Sequence, residues 1–191
     1  MKIGVYVGSF DPVHLGHKHI VDYLLKNNLL DKVVIIPTGN YWHKNNLTPL
    51  NHRINMLKYY ENNKIIVNDK YNNLEYTYLI LNNLKKDYKE CELYLIIGAD
   101  NLTNFHMWKE IDEVLDNKIL VLPRNNVNVY EYINKFKQKD KFVVVNGFNE
   151  IDISSTFIRE KICNKEYNYL TNYVDKEILN YIINNKIYEG D

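Results

Sequence analysis

Lys2-Ile-Gly-Val-Tyr-Val-Gly-Ser-Phe-Asp-Pro-Val-His-Leu-Gly-His17 is the stretch whose reading decides the architecture. Residues 3–7 form a short apolar run of β-branched and aromatic side chains, which predicts a buried strand of the parallel kind. Gly8 then lets the backbone turn sharply or approach a ligand closely, because it has no Cβ. Asp11-Pro12 is a turn signal, since the proline ring biases the residue before it away from helix. From Leu15 onward, Leu15, Ile20, Val21, Leu24 and Leu25 recur at helical spacing. The order is strand, glycine turn, helix, with His14 and His17 at the helix entrance.

A separation of three residues puts both imidazoles on one face of a forming helical turn. That end of a helix carries free N–H groups and the positive end of the dipole, so it suits an anion, and two ring donors would suit a polyphosphate. The stretch contains neither a Walker loop nor a G-x-G-x-x-G turn, and its H-x-x-H is one residue short of the zincin spacing. Two solvated histidines beside a helix cap would leave the same trace in this stretch alone.

Further along, apolar runs at 33–36, 65–67, 93–97, 119–122 and 142–145 predict five more strands. Helical patterns separate them. Thr48-Pro49 reads as an N-cap followed by proline at the first helical position, opening a helix through Arg53, Met56 and Leu57. A second helix begins near Glu75 with Thr77 as its N-cap and Leu79, Ile80 and Leu84 on one face. Helical pieces are expected at 99–105, 108–115 and 129–138, then at 155–163 and 175–184. Strands alternating with helices, each strand continuously apolar, predict an α/β fold: a doubly wound, mostly parallel sheet ending in C-terminal helices. Ligands in such sheets bind outside the carboxyl ends of the strands, which draws attention to Gly8-Ser9-Phe10, residues 37–44, Gly98-Ala-Asp100 and Pro123-Arg124.

Composition narrows the class. At 191 residues, with no linker rich in Pro, Gly or Ser, the chain reads as one domain over 1–191. Lys+Arg and Asp+Glu balance at 24 each, so there is no basic surplus of the kind nucleic acid or a membrane surface demands. No apolar run reaches membrane-spanning length and the N-terminus is already a strand, so a cytoplasmic protein is expected. Cys91 and Cys163 form no C-x-x-C and are read as reduced thiols. Oligomeric state is left open.

Gly8-Ser9-Phe10-Asp-Pro-x-His14-x-Gly16-His17 resembles the G-[TS]-F-D-P-x-H-x-G-H signature of the nucleotidylyltransferase superfamily, a Rossmann-like fold. The resemblance implies that this loop and both histidines hold the phosphates of ATP during adenylyl transfer. Ile153-Ser154-Ser155-Thr156-x-Ile-Arg159 is similar to the I-S-S-T-x-I-R motif that closes over those phosphates. His43-Lys44 matches a His-Lys pair whose lysine approaches substrate phosphate, although Asn40-Tyr-Trp42 stands where members often have prolines. Ile97-Gly98-Ala-Asp100-Asn-Leu…Trp108-Lys109 resembles an I-G-A-D-x-L…W element, in which the aspartate lies near the ATP ribose and the indole stacks on a pyridine ring. Tyr76-Thr77 matches a pair bordering that pyridine pocket. Arg124 stands where an adenine loop of R-P-G type would begin, with Asn125-Asn126 in place of proline and glycine.

Together these elements resemble the nicotinate-mononucleotide adenylyltransferases. The implied substrates are ATP and nicotinate mononucleotide, and the implied products are deamido-NAD and pyrophosphate. His14, His17, Lys44 and Arg159 would carry the catalysis by positioning and charge stabilisation. With no carboxylate cluster in the sequence, Mg²⁺ is expected to arrive bound to ATP. Alternatives are a nicotinamide-mononucleotide or phosphopantetheine adenylyltransferase, or a non-catalytic nucleotide-binding regulator. No acidic side chain is read among the pyridine-pocket elements, so an acid is expected to be preferred to an amide.

Overall fold

The computed structural model describes residues 1–39, 47–124 and 127–189. All six expected strands form: β1 (Lys2–Gly8), β2 (Lys32–Pro37), β3 (Ile65–Val67), β4 (Glu92–Gly98), β5 (Lys118–Leu122) and β6 (Phe142–Val144). They make one sheet of order β3-β2-β1-β4-β5-β6, and every pairing is parallel. Parallel neighbours need crossovers, which α1 (Leu15–Lys26), α2 (Leu50–Lys58) and α3 (Thr77–Asp87) supply in the first half. In the second half the connections carry α4 (Leu102–Phe105), α5 (Ile111–Leu115) and α6 (Val129–Ile133). The chain closes with α7 (Ser155–Cys163) and α8 (Lys176–Asn184).

The two-residue period of a strand sorts its side chains into two cores. Val33, Ile35, Ile96, Leu120 and Leu122 pack on one face with Val21 and Leu24 of α1, Met56 and Leu57 of α2, and the apolar sides of α7 and α8. Val34, Ile36, Leu95, Ile97, Ile119 and Val121 pack on the other with α3, α4, α5 and α6. Strands apolar on both faces are what a doubly covered sheet requires. Each such side chain stabilises the fold by roughly 1.5–3 kcal/mol.

Four helix boundaries differ from expectation. The N-cap of α2 is Pro49; Thr48, one residue earlier, donates its N–H to Asp11 Oδ2 at 3.1 Å, and its carbonyl accepts from Arg53 Nε at 2.9 Å. The N-cap of α3 is Tyr76, so Thr77 is already the first helical residue, and Leu81 replaces Leu79 on the buried face. Residues 108–110 are turns, since Glu110 turns to φ 48° before α5 begins. Finally, α6 stops at Ile133, and tertiary packing of Phe136 against Phe142 takes the chain out of helix.

Candidate active site

The strand order reverses at β1, whose neighbours β2 and β4 send the chain to opposite sides. A crevice opens at such a switch point. Here it is a cavity of about 680 Å³ over the carboxyl ends of β1, β2, β4 and β5. Its lining includes Gly8, Ser9 and Phe10 with His14, Gly16 and His17, and also Tyr76, Thr77, Trp108 and Lys109. Gly98, Arg124, Ser154 and Ser155 line it as well. The structure therefore brings most of the predicted residues into one space.

His14 is the N-cap of α1 and is only 6% exposed, which nothing in the sequence marked. Its ring lies 3.8 Å from that of His17, centroid to centroid. The backbone N–H of His14 donates to Nδ1 of His17 at 3.3 Å. Burial, reinforced by the charge of Arg124, lowers the pKa of His14 to about 4. Burial, the adjacent His14 and Arg124 hold His17 well below the ordinary histidine value. Both rings are therefore neutral near pH 7. With Nδ1 accepting, His17 carries its proton on Nε2 and is a neutral N–H donor. A Cβ at Gly16 would stand 3.0 Å from Nδ1 and Cε1 of His14, a contact so tight that the imidazole would have to shift to admit it. The first helical N–H, of Leu15, is taken by the Tyr173 carbonyl at 2.8 Å, so an anion would meet the donors from Gly16 onward.

Three predicted ATP-site residues stand outside the lining of the cavity: Asp100, Thr156 and Arg159. The Asp100 carboxylate folds back over Gly98. Arg159 donates through Nη1 to the Asp11 carbonyl at 2.6 Å and through Nη2 to Thr156 Oγ1 at 3.1 Å. Ser155 Oγ donates to the Pro12 carbonyl at 3.0 Å, and Ser154 Oγ accepts from the Phe157 N–H at 3.2 Å as the N-cap of α7. The serine-rich motif thus ties α7 to the loop after β1, where the main-chain carbonyls need donors. Arg124 lines the cavity with its Nε 2.8 Å from Glu150 Oε1. His43 and Lys44 lie outside the described residues.

Several residues escaped the sequence reading. Glu75 lines the cavity beside Tyr76, against the expectation of a pyridine pocket without an acid. Tyr6 of β1 lines it too, its ring 6.1 Å from that of His17. Asp11 and Arg53 are buried in the supporting layer. Arg53 did carry a signal: it sits on the apolar face of α2 with Met56 and Leu57, where an arginine calls for buried acceptors. No group of three His, Cys, Asp or Glu side chains able to hold a metal occurs among the described residues.

Sheet order, crevice and histidine-bearing helix entrance together define a Rossmann-like nucleotidylyltransferase fold. The structure superposes on "Plasmodium falciparum nicotinic acid mononucleotide adenylyltransferase complexed with NaAD" with a TM-score of 0.82 at 21% identity, covering 100% of this chain and 98% of that one. In sequence it is 39% identical to the "Probable nicotinate-nucleotide adenylyltransferase" of Fusobacterium nucleatum, over 87% of this chain and 90% of that protein. It is 36% identical to the protein of the same name from Clostridium tetani, over 84% and 86% of the two chains. The cytidylyltransferase-like family model matches residues 5–161, and the chain belongs to that family, among its nicotinate-nucleotide adenylyltransferases.

Proposed function

We propose that this enzyme, one domain over 1–191 acting in the cytoplasm, transfers the adenylyl group of ATP to nicotinate mononucleotide. The observation that carries the reading is one cavity lined by two unlike groups of residues. One gathers neutral imidazole and main-chain donors at a helix entrance, and the other presents an aromatic side chain and a second helix entrance.

An oxygen of the mononucleotide phosphate attacks the α-phosphorus of ATP. The bond to the bridging oxygen breaks, and pyrophosphate leaves with the electron pair. The attacking oxygen is already anionic, so no base is needed and no covalent enzyme intermediate forms. Catalysis is then alignment of two anions plus stabilisation of charge on the transferring phosphoryl group. His17 Nε2–H, His14, Arg124 and the α1 donors serve the triphosphate; we assign Lys44 to the same task, and Arg159 to supporting it through the Asp11 carbonyl that it holds. Gly8, Ser9, Phe10, Gly98, Asp100, Ser154, Ser155 and Thr156 border or support the ATP half. Mg²⁺ enters as part of the substrate, on ATP.

For the acceptor, Trp108 stacks on the pyridine, with Lys109 beside it. The N–H groups of Thr77 and Tyr78 precede the first bond of α3, from Leu79 to the Tyr76 carbonyl at 3.1 Å, and so suit a ring carboxylate. Glu75 favours a second reading, because its carboxylate could accept from an amide and so admit nicotinamide mononucleotide. Pyrophosphate release, with mass analysis of products, decides among nicotinate mononucleotide, nicotinamide mononucleotide and phosphopantetheine as acceptors. The expected result is rapid turnover of the first; turnover of phosphopantetheine alone would overturn the assignment.

A further inference from the structure

Beneath the cavity a buried polar network joins the end of the chain to the loop after β1. Asp11, 3% exposed, accepts three hydrogen bonds. The Tyr188 hydroxyl donates to Oδ1 at 2.6 Å, the Thr48 N–H to Oδ2 at 3.1 Å, and Arg159 Nη1 to the main-chain carbonyl at 2.6 Å. Two residues earlier, the Ser9 carbonyl accepts from Arg53 Nη1 at 2.7 Å; the same nitrogen reaches the Thr38 carbonyl at 2.8 Å. Arg53 has no exposed surface at all.

Between these anchors Phe10 holds φ 49°, a left-handed conformation that a residue with a Cβ resists. Such backbone persists only where its surroundings over-determine it. The clamps stand on either side, Arg53 on Ser9 and Tyr188 on Asp11. Ser9 and Phe10 line the cavity, and the Phe10 ring lies 5.0 Å from that of His17. Tyr188, which is not among the cavity-lining residues, reaches Asp11 across a sequence separation of 177.

We propose that Tyr188 is a positioning residue for adenylyl transfer, holding Ser9-Phe10-Asp11 through the Asp11 carboxylate in the conformation that receives ATP. The proposal rests on the adenylyltransferase reading above. Docking of the C-terminal segment is thereby part of assembling the ATP half of the site. The acceptor half is carried by Trp108 and the start of α3 and does not depend on this contact.

Tyr188→Phe removes the hydroxyl and keeps the ring. The test measures kcat and KM for both substrates in this variant and the parent, a thermal melt of each, and ATP binding by calorimetry without acceptor. A variant folded at the assay temperature is expected to lose about tenfold in kcat/KM for ATP, the worth of roughly one buried hydrogen bond, with KM for the mononucleotide nearly unchanged. Asp11→Asn sets an NH₂ group against one of the two donors on the carboxylate and should also lose activity, and the double variant should lose less than the product of the two single losses, because both act at the Asp11–Tyr188 contact. Parental kcat/KM for ATP in Tyr188→Phe would overturn the proposal. So would a loss shared equally by both substrates and accounted for by the unfolded fraction. If Tyr188→Phe is too unstable to assay, Asp11→Asn is read by the same criteria. If the parent makes no dinucleotide, the adenylyltransferase reading fails by itself; equal ATP affinity in parent and variant would then also sink the positioning role.

Discussion

The backbone N–H of His14 donates to Nδ1 of His17, and the two rings lie 3.8 Å apart. One hydrogen bond thus chooses the tautomer of His17 and leaves Nε2–H as its donor. Two rings this close, His14 buried and His17 half-buried, resist carrying charge together. Their contribution to phosphoryl transfer is then that of preorganised neutral dipoles, which need not reorganise as charge develops.

His17→Ala is expected to lower kcat by about 10²–10³, the usual effect of deleting one preorganised donor. His14→Ala removes the packing partner as well and should cost both turnover and stability. His17→Gln, which can again offer an N–H from a side chain, should recover part of the loss. Steady-state kinetics on variants confirmed as folded would check this, and unchanged turnover in His17→Ala would remove the histidines from the phosphate site.

Stability should fall with acid before the carboxylates titrate. Burial lowers the pKa of His14 from 6.5 to about 4. Between those values the unfolded chain binds a proton that the folded chain refuses, so stability rises with pH there and levels off above about 6.5. His17 is shifted in the same direction and adds to the effect. For His14 alone the loss from pH 7 to pH 4 is about 3 kcal/mol, at 1.36 kcal/mol per pKa unit. Urea unfolding at pH 7.5, 6 and 5 measures it. A midpoint constant over that window would mean that the rings are solvated.

Arg159 is expected to matter through the loop it holds. Arg159→Ala leaves the Asp11 carbonyl without its 2.6 Å donor and should raise KM for ATP by about tenfold or more. Arg159→Lys should recover only part, because an ammonium lacks the planar fork that reaches Asp11 and Thr156 together. ATP titrations of both variants decide the matter. Full recovery by lysine would show that a point charge suffices.

The architecture was legible because strand and helix periodicities are local. Six apolar runs became six strands, but Gly8 ends β1 in register with Pro37, and the backbone turns after it, at Phe10, Asp11 and Pro12. Other misreadings lie where tertiary partners hold groups that local rules had assigned elsewhere. Thr48 stands one residue before the cap, its N–H and carbonyl bonded to Asp11 and Arg53. Arg159 and Ser155 bond the Asp11 and Pro12 carbonyls, a tertiary contact that spacing alone does not announce. Tyr188 had no local signal, since a tyrosine closing an amphipathic segment looks the same whether or not a buried carboxylate waits for it.

Choice of pyridine depends on two neighbouring features with opposite preferences. The free N–H groups at the start of α3 favour a carboxylate through charge-assisted bonds. An amide there would turn its own NH₂ toward donors, a mismatch that sites built for one partner reject by several orders of magnitude. Glu75 pulls the other way, since it lines the same region and would repel a carboxylate while accepting from an amide. Glu75 is exposed, so solvent screens its charge, whereas main-chain donors are fixed in direction. The donors should therefore win. Nicotinate mononucleotide is expected to show the higher kcat/KM at saturating Mg-ATP. Glu75→Gln should widen that preference, and Trp108→Ala should weaken both acceptors alike by removing the stacking surface. Equal kcat/KM for acid and amide in the parent, followed by loss of the amide activity in Glu75→Gln, would hand selectivity to the carboxylate and overturn the assignment to the helix start.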